Sequence, residues 1–284
     1  MGYAPTLELP YPRLVEGRFA SIDALTDEDL LAACGVRIAF TERTGGLSAP
    51  PYDCLNVGDH VQDEPELVAG NRARLLSAFD ACGASVVNPL QVHGDRIVEV
   101  SSEEDADRAI AIAREGADSV VVSCDGVAAL LCFADCMPVI VVSPDGSFAV
   151  VHAGWRGVCN RIAVHSVESL ARLSGVDPAA FNVYIGPYIR SCHFRVDGDL
   201  PERFAALFGD STVIEDSEGV RVDLGHAMRV QLGEAGIDSR RIADAGFCTV
   251  CSQERFFSYR GSGGTCGRHG AFAVRSSSHA THDR

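Results

Sequence analysis

Val127-Ala128-Ala129-Leu130-Leu131-Cys132-Phe133, Val139-Ile140-Val141-Val142 and Phe148-Ala149-Val150-Val151 are three apolar runs of strand length, all within residues 127–151. Their apolar positions are consecutive rather than alternating, which predicts strands buried on both faces and a sheet covered on each side. Pro144-Asp145-Gly146 predicts a hairpin turn between the second and third runs. Asp125-Gly126 predicts another between Ser119-Val120-Val121-Val122-Ser123 and the first run. Outside this core the pattern is helical. Asp63 and Glu66 read as a capping box for a helix from about Pro65 to Cys82, stopped by Gly83. Val158 to Leu173, Pro201 to Phe208 and Leu224 to Ala235 read as further helices, the last capped by Asp223 and stopped by Gly236. Short strands mixed with scattered helices, without regular βαβ alternation, predict the α+β class: a mixed β-sheet core flanked by helices in a layered sandwich. No repeat or long linker divides the 284 residues, so one domain over 1–284 is expected, with a fraying polar tail at 276–284.

Two of the strand runs end on reactive side chains. Cys136 lies in Ala134-Asp135-Cys136-Met137-Pro138, and His152 opens His152-Ala153-Gly154-Trp155-Arg156-Gly157. At strand ends both can reach one pocket, with His93 of Pro89-Leu90-Gln91-Val92-His93-Gly94 as a third member. One thiolate and two imidazoles form the set that zinc favours when its fourth position stays open for water or substrate. Taken singly, each has a plainer reading, because buried cysteines commonly carry no ligand and histidines are satisfied by solvent or backbone. Arg156, in a glycine-flanked turn ahead of the predicted helix, suits an oxyanion, and Arg43 and Arg268 share its glycine-containing context. Neither glycine cluster has Walker or dinucleotide-loop spacing, so ATP and NAD are not indicated. A rival metal pattern is Cys248-x-x-Cys251 followed by Cys266-x-x-His269, which has almost the spacing of a zinc ribbon.

Composition narrows the classes further. Hydrophobic residues make up 46% of the chain, enough for a substantial core, and the net charge of −15 opposes nonspecific binding to nucleic acid or anionic lipid. No stretch approaches the roughly twenty apolar residues of a membrane span, and the first residues lack a basic segment leading into an apolar one. The cytoplasm is therefore the expected compartment. Eleven cysteines, an odd number in a long chain without an export signal, are expected to be free thiols rather than a disulfide framework.

The three site motifs together resemble the laccase-domain (YfiH-type) family, whose members are variously named polyphenol oxidase, purine nucleoside phosphorylase and peptidoglycan editing factor. Thr41-Glu42-Arg43-Thr44-Gly45-Gly46-Leu47-Ser48 looks like the family's opening motif. Leu55-Asn56-Val57-Gly58, His60-Val61, Asp63, Asn71-Arg72, Ile185-Gly186-Pro187, Cys248-Thr249, Ser258-Tyr259-Arg260 and Gly267-Arg268 follow in the family's order. The match covers roughly residues 40–274, leaving 1–35 as an N-terminal extension. The resemblance implies a mixed β core flanked by helices, with metal and catalytic residues His93, Cys136 and His152. It also implies a zinc-dependent purine nucleoside phosphorylase acting on adenosine, inosine, guanosine or methylthioadenosine with phosphate, with an associated adenosine deaminase activity. Arg43 and Arg156 would then position phosphate, and Asn56 would contact ribose or base. Segments matched around Cys251 and Cys266 do not require either to bind metal, which ranks the ribbon-like set below the trio.

Two other reaction classes remain open. Copper in place of zinc would oxidise phenols, but Met137, adjacent to Cys136 on a strand, points to the opposite face from any axial position on that copper. A multicopper oxidase also needs many more paired histidines than the nine present. Alternatively, Cys136 activated by His93 or His152 would be the nucleophile of a hydrolase editing peptidoglycan precursors. A non-enzymatic zinc-stabilised interaction module would need its metal in order to fold.

Overall fold

A computed structural model describes residues 8–217 and 219–275, so the polar tail at 276–284 lies outside the described residues. Two six-stranded mixed sheets face one another. The first runs Val15–Phe19, Ile22–Thr26, Val36–Thr41, His269–Arg275, Val127–Phe133, Ser85–Val87; the second runs Ile242–Asp244, Asn182–Ile185, Met137–Val142, Phe148–Ala153, Ser119–Val122, Ile97–Val100. The central pairs are antiparallel, and parallel pairing is confined to the edge strands Ser85–Val87, Ile97–Val100 and Ile242–Asp244. The segment ahead of the family-like region is part of this architecture, because it supplies the two strands at one edge of the first sheet.

Side-chain alternation divides the apolar runs between two layers. Val127, Ala129, Leu131 and Phe133 join Ile140, Val142, Phe148 and Val150 in the core between the sheets. Ala128, Leu130 and Cys132 face outward under Leu75 and Phe79, at and just beyond the end of helix Pro65–Ala78. On the far side Val139, Val141 and Val151 lie beneath helices Ile162–Ser174, Leu200–Phe208 and Leu224–Glu234. The result is a helix–sheet–sheet–helix sandwich, and covering both faces of each strand is what consecutive apolar residues require.

Local expectations meet mixed outcomes. Met137–Val142 and Phe148–Ala153 do form a hairpin, closed by Gly146 N–H to Ser143 O at 3.0 Å and by the Asp145 carboxylate on Ser147. The Asp125-Gly126 hairpin does not form, because Ser119–Val122 pairs within the second sheet and Val127–Phe133 within the first. Both strands are apolar on both faces, so nothing in their pattern obliges them to pair with each other, and the turn passes the chain between layers. The capping box is also absent. Asp63 instead accepts hydrogen bonds from Ser48 Oγ and Asn56 Nδ2, and the helix stops at Ala78, ahead of Gly83. The helix expected over Val158 to Leu173 is broken at Arg161, whose φ of 60° separates Trp155–Cys159 from Ile162–Ser174. Asp223 caps the last helix as expected, accepting from His226 N–H at 2.9 Å.

Gly45 shows why the Gly45-Gly46 pair suits its loop. Its φ is +86°, and a Cβ there would lie 2.0 Å from the Ser21 carbonyl oxygen. Gly45→Ala is expected to cost about 1–3 kcal/mol from the positive φ alone, with the backbone clash adding to it. Thermal melting would read this as a drop of several degrees.

Candidate active site

The strand ends at Cys136 and His152 open into a cavity of about 410 Å³, within the usual size range for small-molecule sites. Its polar lining includes His60, Gln91, His93, Cys136, His152, Arg156, Arg260 and Arg268. His93, Cys136 and His152 offer one ligand atom each, all within 4.8 Å of one another.

Each of the three is held by the fold. His152 sits next to the register pair Met137–Ala153 and is buried. Its Nδ1 lies 2.7 Å from Asp118 Oδ1, which leaves Nε2 as the ligand nitrogen. Asp118 is fully buried at the entry to Ser119–Val122 and also gathers the His93 loop, accepting from His93 N–H at 2.9 Å, Gly94 N–H at 2.7 Å and Val92 N–H at 3.3 Å. Gln91 joins the same loop to the first sheet through a two-way amide pair with Cys132, each bond 2.8 Å. His93 has φ 59° and Asp135 φ 94°, a backbone uncommon for residues other than glycine and found where surrounding structure fixes it. Asp135 is so fixed: its carboxylate accepts from Thr249 Oγ1, Ser258 Oγ and Arg260 N–H, each at 2.6 Å, while its carbonyl accepts from Ile189 N–H. That one side chain ties the Cys136 turn to the loops forming the opposite wall.

Electrostatics follow from this packing. Burial pushes the Cys136 thiol up, but the charge and hydrogen bonds of His152 and His93 outweigh it and bring the thiol down to about 6. Burial disfavours protonation of His152, yet the Cys136 thiolate and the Asp118 carboxylate raise it to about 9. Thiolate and imidazolium stabilise each other, and a metal displacing the imidazole proton would meet an ionised sulfur. Gly154 keeps the centre open, since a Cβ there would lie 3.0 Å from Cys136 Sγ and 3.3 Å from His93 Cδ2. A thiolate and two oriented imidazoles, with room left among them, fit a zinc-like ion with an open position.

The other expected residues divide. Arg156 lines the cavity, exposed, with its guanidinium 4.3 Å from the Trp155 ring centroid. Its helix is only five residues long, so the guanidinium rather than a helix terminus is what it offers an anion. Arg43 does not reach the cavity lining: Nε bonds Asp53 O at 2.7 Å, Nη1 bonds Gln253 O at 2.8 Å, and the group stacks on Phe257. Asn56 is fully buried and touches the site only indirectly, its Oδ1 accepting the Arg268 N–H at 2.8 Å. The ribbon-like set is not assembled. His269 is buried between Phe133 and Phe256, where burial and then Arg268 hold it neutral, down to about 3, and Cys266 Sγ faces Arg268. Met137 packs under the helices in the core and does not line the cavity.

Sequence reasoning missed Asp118 and the role of Asp135. The only sequence signal for Asp118 is an acid at the mouth of an apolar strand, Ala117-Asp118-Ser119-Val120, a place where an unpaired carboxylate is costly.

Residues 37–276 match the family model described as multi-copper polyphenol oxidoreductase laccase. The chain belongs to that family. It is 35% identical over 248 residues, 85% of this chain and 90% of the relative, to a Geobacillus stearothermophilus protein named purine nucleoside phosphorylase YlmD. It is 32% identical over 229 residues, 80% of this chain and 88% of the relative, to an Escherichia coli protein named purine nucleoside phosphorylase YfiH. The crystal structure of Bacillus licheniformis hypothetical protein YfiH superposes with TM-score 0.81 at 31% identity, over 90% of this chain and 97% of that one. YlmD from Geobacillus stearothermophilus gives 0.80 at 31%, over 95% and 99%. Family membership thus accounts for the two-sheet architecture, and among the described residues no helix is long and apolar enough to cross a membrane.

Proposed function

We propose that the protein is a zinc-dependent purine nucleoside phosphorylase that cleaves adenosine and related nucleosides with phosphate, releasing the base and ribose 1-phosphate. The observation that carries this reading is one cavity lined both by the His93, Cys136 and His152 donor set and by Arg156, Arg260 and Arg268. That juxtaposition matches an anionic co-substrate beside a polarisable centre, and the names of the family relatives point the same way. His93, Cys136 and His152 would hold zinc, which when bound would supply Lewis-acid chemistry to the pocket.

The chain's own groups divide the remaining work. The three arginines attract phosphate against a net charge of −15 and hold it by charge-assisted hydrogen bonds. Ile189, Phe194 and Tyr259 present apolar surface for the flat purine. Burial, and then the neighbouring Arg268, lower the His60 pKa, so its imidazole is a neutral polar contact for the base at physiological pH. Asp118 keeps His152 in one tautomer and fixes the His93 loop. Deamination of adenosine in the same pocket is part of the proposal, and it is distinguished by product: inosine forms without consuming phosphate.

Arg156→Ala and Arg268→Ala should each raise the phosphate KM about tenfold, the value of one charge-assisted contact, with little change in melting temperature for Arg156→Ala and a lower one for Arg268→Ala, whose Nη1 also bonds the Cys266 and Gly267 carbonyls. Arg43→Ala, whose partners are Asp53 and Gln253, should alter stability instead. Unchanged phosphate KM in both pocket variants would remove the arginine wall from the account.

A second reading has its own observation. Asp118, His152 and Cys136 form an acid–imidazole–thiol series, the arrangement of a cysteine hydrolase. His93, the second imidazole on the same sulfur, favours metal ligation. Iodoacetamide decides between them: protection of Cys136 that chelation removes indicates a ligand, and alkylation with metal retained indicates a nucleophile.

A further inference from the structure

A second cluster of metal-ligating groups lies outside the catalytic trio. Cys192, His193, Cys248 and Cys251 come from two loops, residues 188–195 and 248–260, and their ligand atoms all lie within 4.8 Å of one another. His193 Nδ1 is 3.3 Å from Cys192 Sγ, 3.4 Å from Cys251 Sγ and 3.7 Å from Cys248 Sγ, and the sulfurs of Cys192 and Cys251 are 3.8 Å apart. With Zn–S near 2.3 Å and Zn–N near 2.0–2.1 Å, tetrahedral geometry sets neighbouring sulfurs about 3.8 Å apart and sulfur about 3.5 Å from nitrogen. The three nitrogen–sulfur separations and the Cys192–Cys251 separation already lie near those values.

The surrounding backbone is arranged as a thiolate site. Arg190 N–H points at Cys248 Sγ at 3.5 Å. The two loops are paired beside it, with Tyr188 bridging to Cys248 and Thr249 N–H donating to Tyr188 O at 3.1 Å. A disulfide between Cys192 and Cys251 would need their sulfurs at about 2.05 Å and would leave His193 and Cys248 without a common partner.

We propose that Cys192, His193, Cys248 and Cys251 form a second, structural zinc site of closed Cys3His type. It completes half of the ribbon-like sequence pattern, with Cys192 and His193 in place of Cys266 and His269. Its consequence for the pocket is mechanical. Ile189 and Phe194 flank Cys192 and His193 along one loop, and Tyr259 and Arg260 lie on the other, so the ion clamps together two loops that both line the catalytic cavity. Four protein ligands leave no position for substrate, which separates this site from the open trio.

Zinc is counted in the purified full-length chain after exposure to zinc and desalting. The expected content is about two per chain in the unaltered protein, about one in Cys136→Ser, about one in Cys192→Ala and none in the double variant. Cobalt loaded into Cys136→Ser should show the strong visible bands of a tetrahedral, thiolate-rich centre, and Cys136→Ser with Cys251→Ser should lose them. Cys192→Ala should also raise the nucleoside KM more than it lowers kcat. The proposal fails if Cys136→Ser binds neither zinc nor cobalt while remaining folded. It fails equally if mass spectrometry of reduced, zinc-supplied protein finds Cys192 and Cys251 cross-linked. Because the metal count and cobalt spectrum are read without turnover, they stand or fall separately from the phosphorylase reading.

Discussion

Cys136→Ser is expected to lower phosphorolysis of adenosine by at least about 10²–10³-fold, with its melting temperature moved by only a few degrees. The magnitude follows from losing a Lewis acid worth several kcal/mol, at one decade per 1.36 kcal/mol. Serine keeps the shape of the side chain, so the Met137–Val142 strand and the core beneath it are undisturbed. It does not supply a thiolate at neutral pH, where burial opposed by two imidazoles brings the native sulfur down to about 6. Steady-state assays paired with zinc counting check the claim. Full turnover by this variant would remove Cys136 from the chemistry.

Asp118→Asn is the second large effect, expected to cost about 100-fold in zinc affinity or turnover, the upper end for a group that orients metal ligands. Four donors converge on this carboxylate: the Nδ1–H of His152 and the N–H groups of Val92, His93 and Gly94. An amide retains one acceptor oxygen and turns an NH2 toward the donors of the other, so either His152 loses its tautomer or the His93 loop loses its anchor. Zinc titration against a competing chelator measures the change. Asp118→Asn with native affinity and turnover would show that the trio orients itself.

How much of this was legible in the sequence depends on the range of the signal. Residues 127–151 announced buried strands because apolar burial on both faces leaves a local mark. Which strands pair is not local: Asp125-Gly126 carries a turn signature whether the chain doubles back or crosses to the facing sheet, and the structure takes the crossing. Each member of the trio sits in a distinctive motif, and the structure brings all three together. Arg43 and Asn56 also sit in distinctive motifs, yet they shape the loops behind the pocket, since a motif records constraint without saying whether substrate or backbone imposes it. Asp118 and Asp135 were missed for the opposite reason, as a buried carboxylate's value lies in partners from distant segments, 24–26 residues away for the N–H groups on Asp118 and 114–125 for those on Asp135. Cys192 and His193 likewise carry no ligand spacing of their own and acquire meaning only beside Cys248 and Cys251.

The central claim is that one pocket joins a thiolate–imidazole metal centre to an arginine wall in order to split nucleosides with phosphate. The most direct measurement incubates zinc-replete protein with adenosine and phosphate and quantifies adenine, ribose 1-phosphate, ribose and inosine together. The account predicts adenine and ribose 1-phosphate in equal amounts, both absent when phosphate is omitted and both lost in His152→Ala. No purine nucleoside turnover by zinc-replete protein, alongside copper-dependent oxidation of a phenolic dye by the same chain, would contradict it.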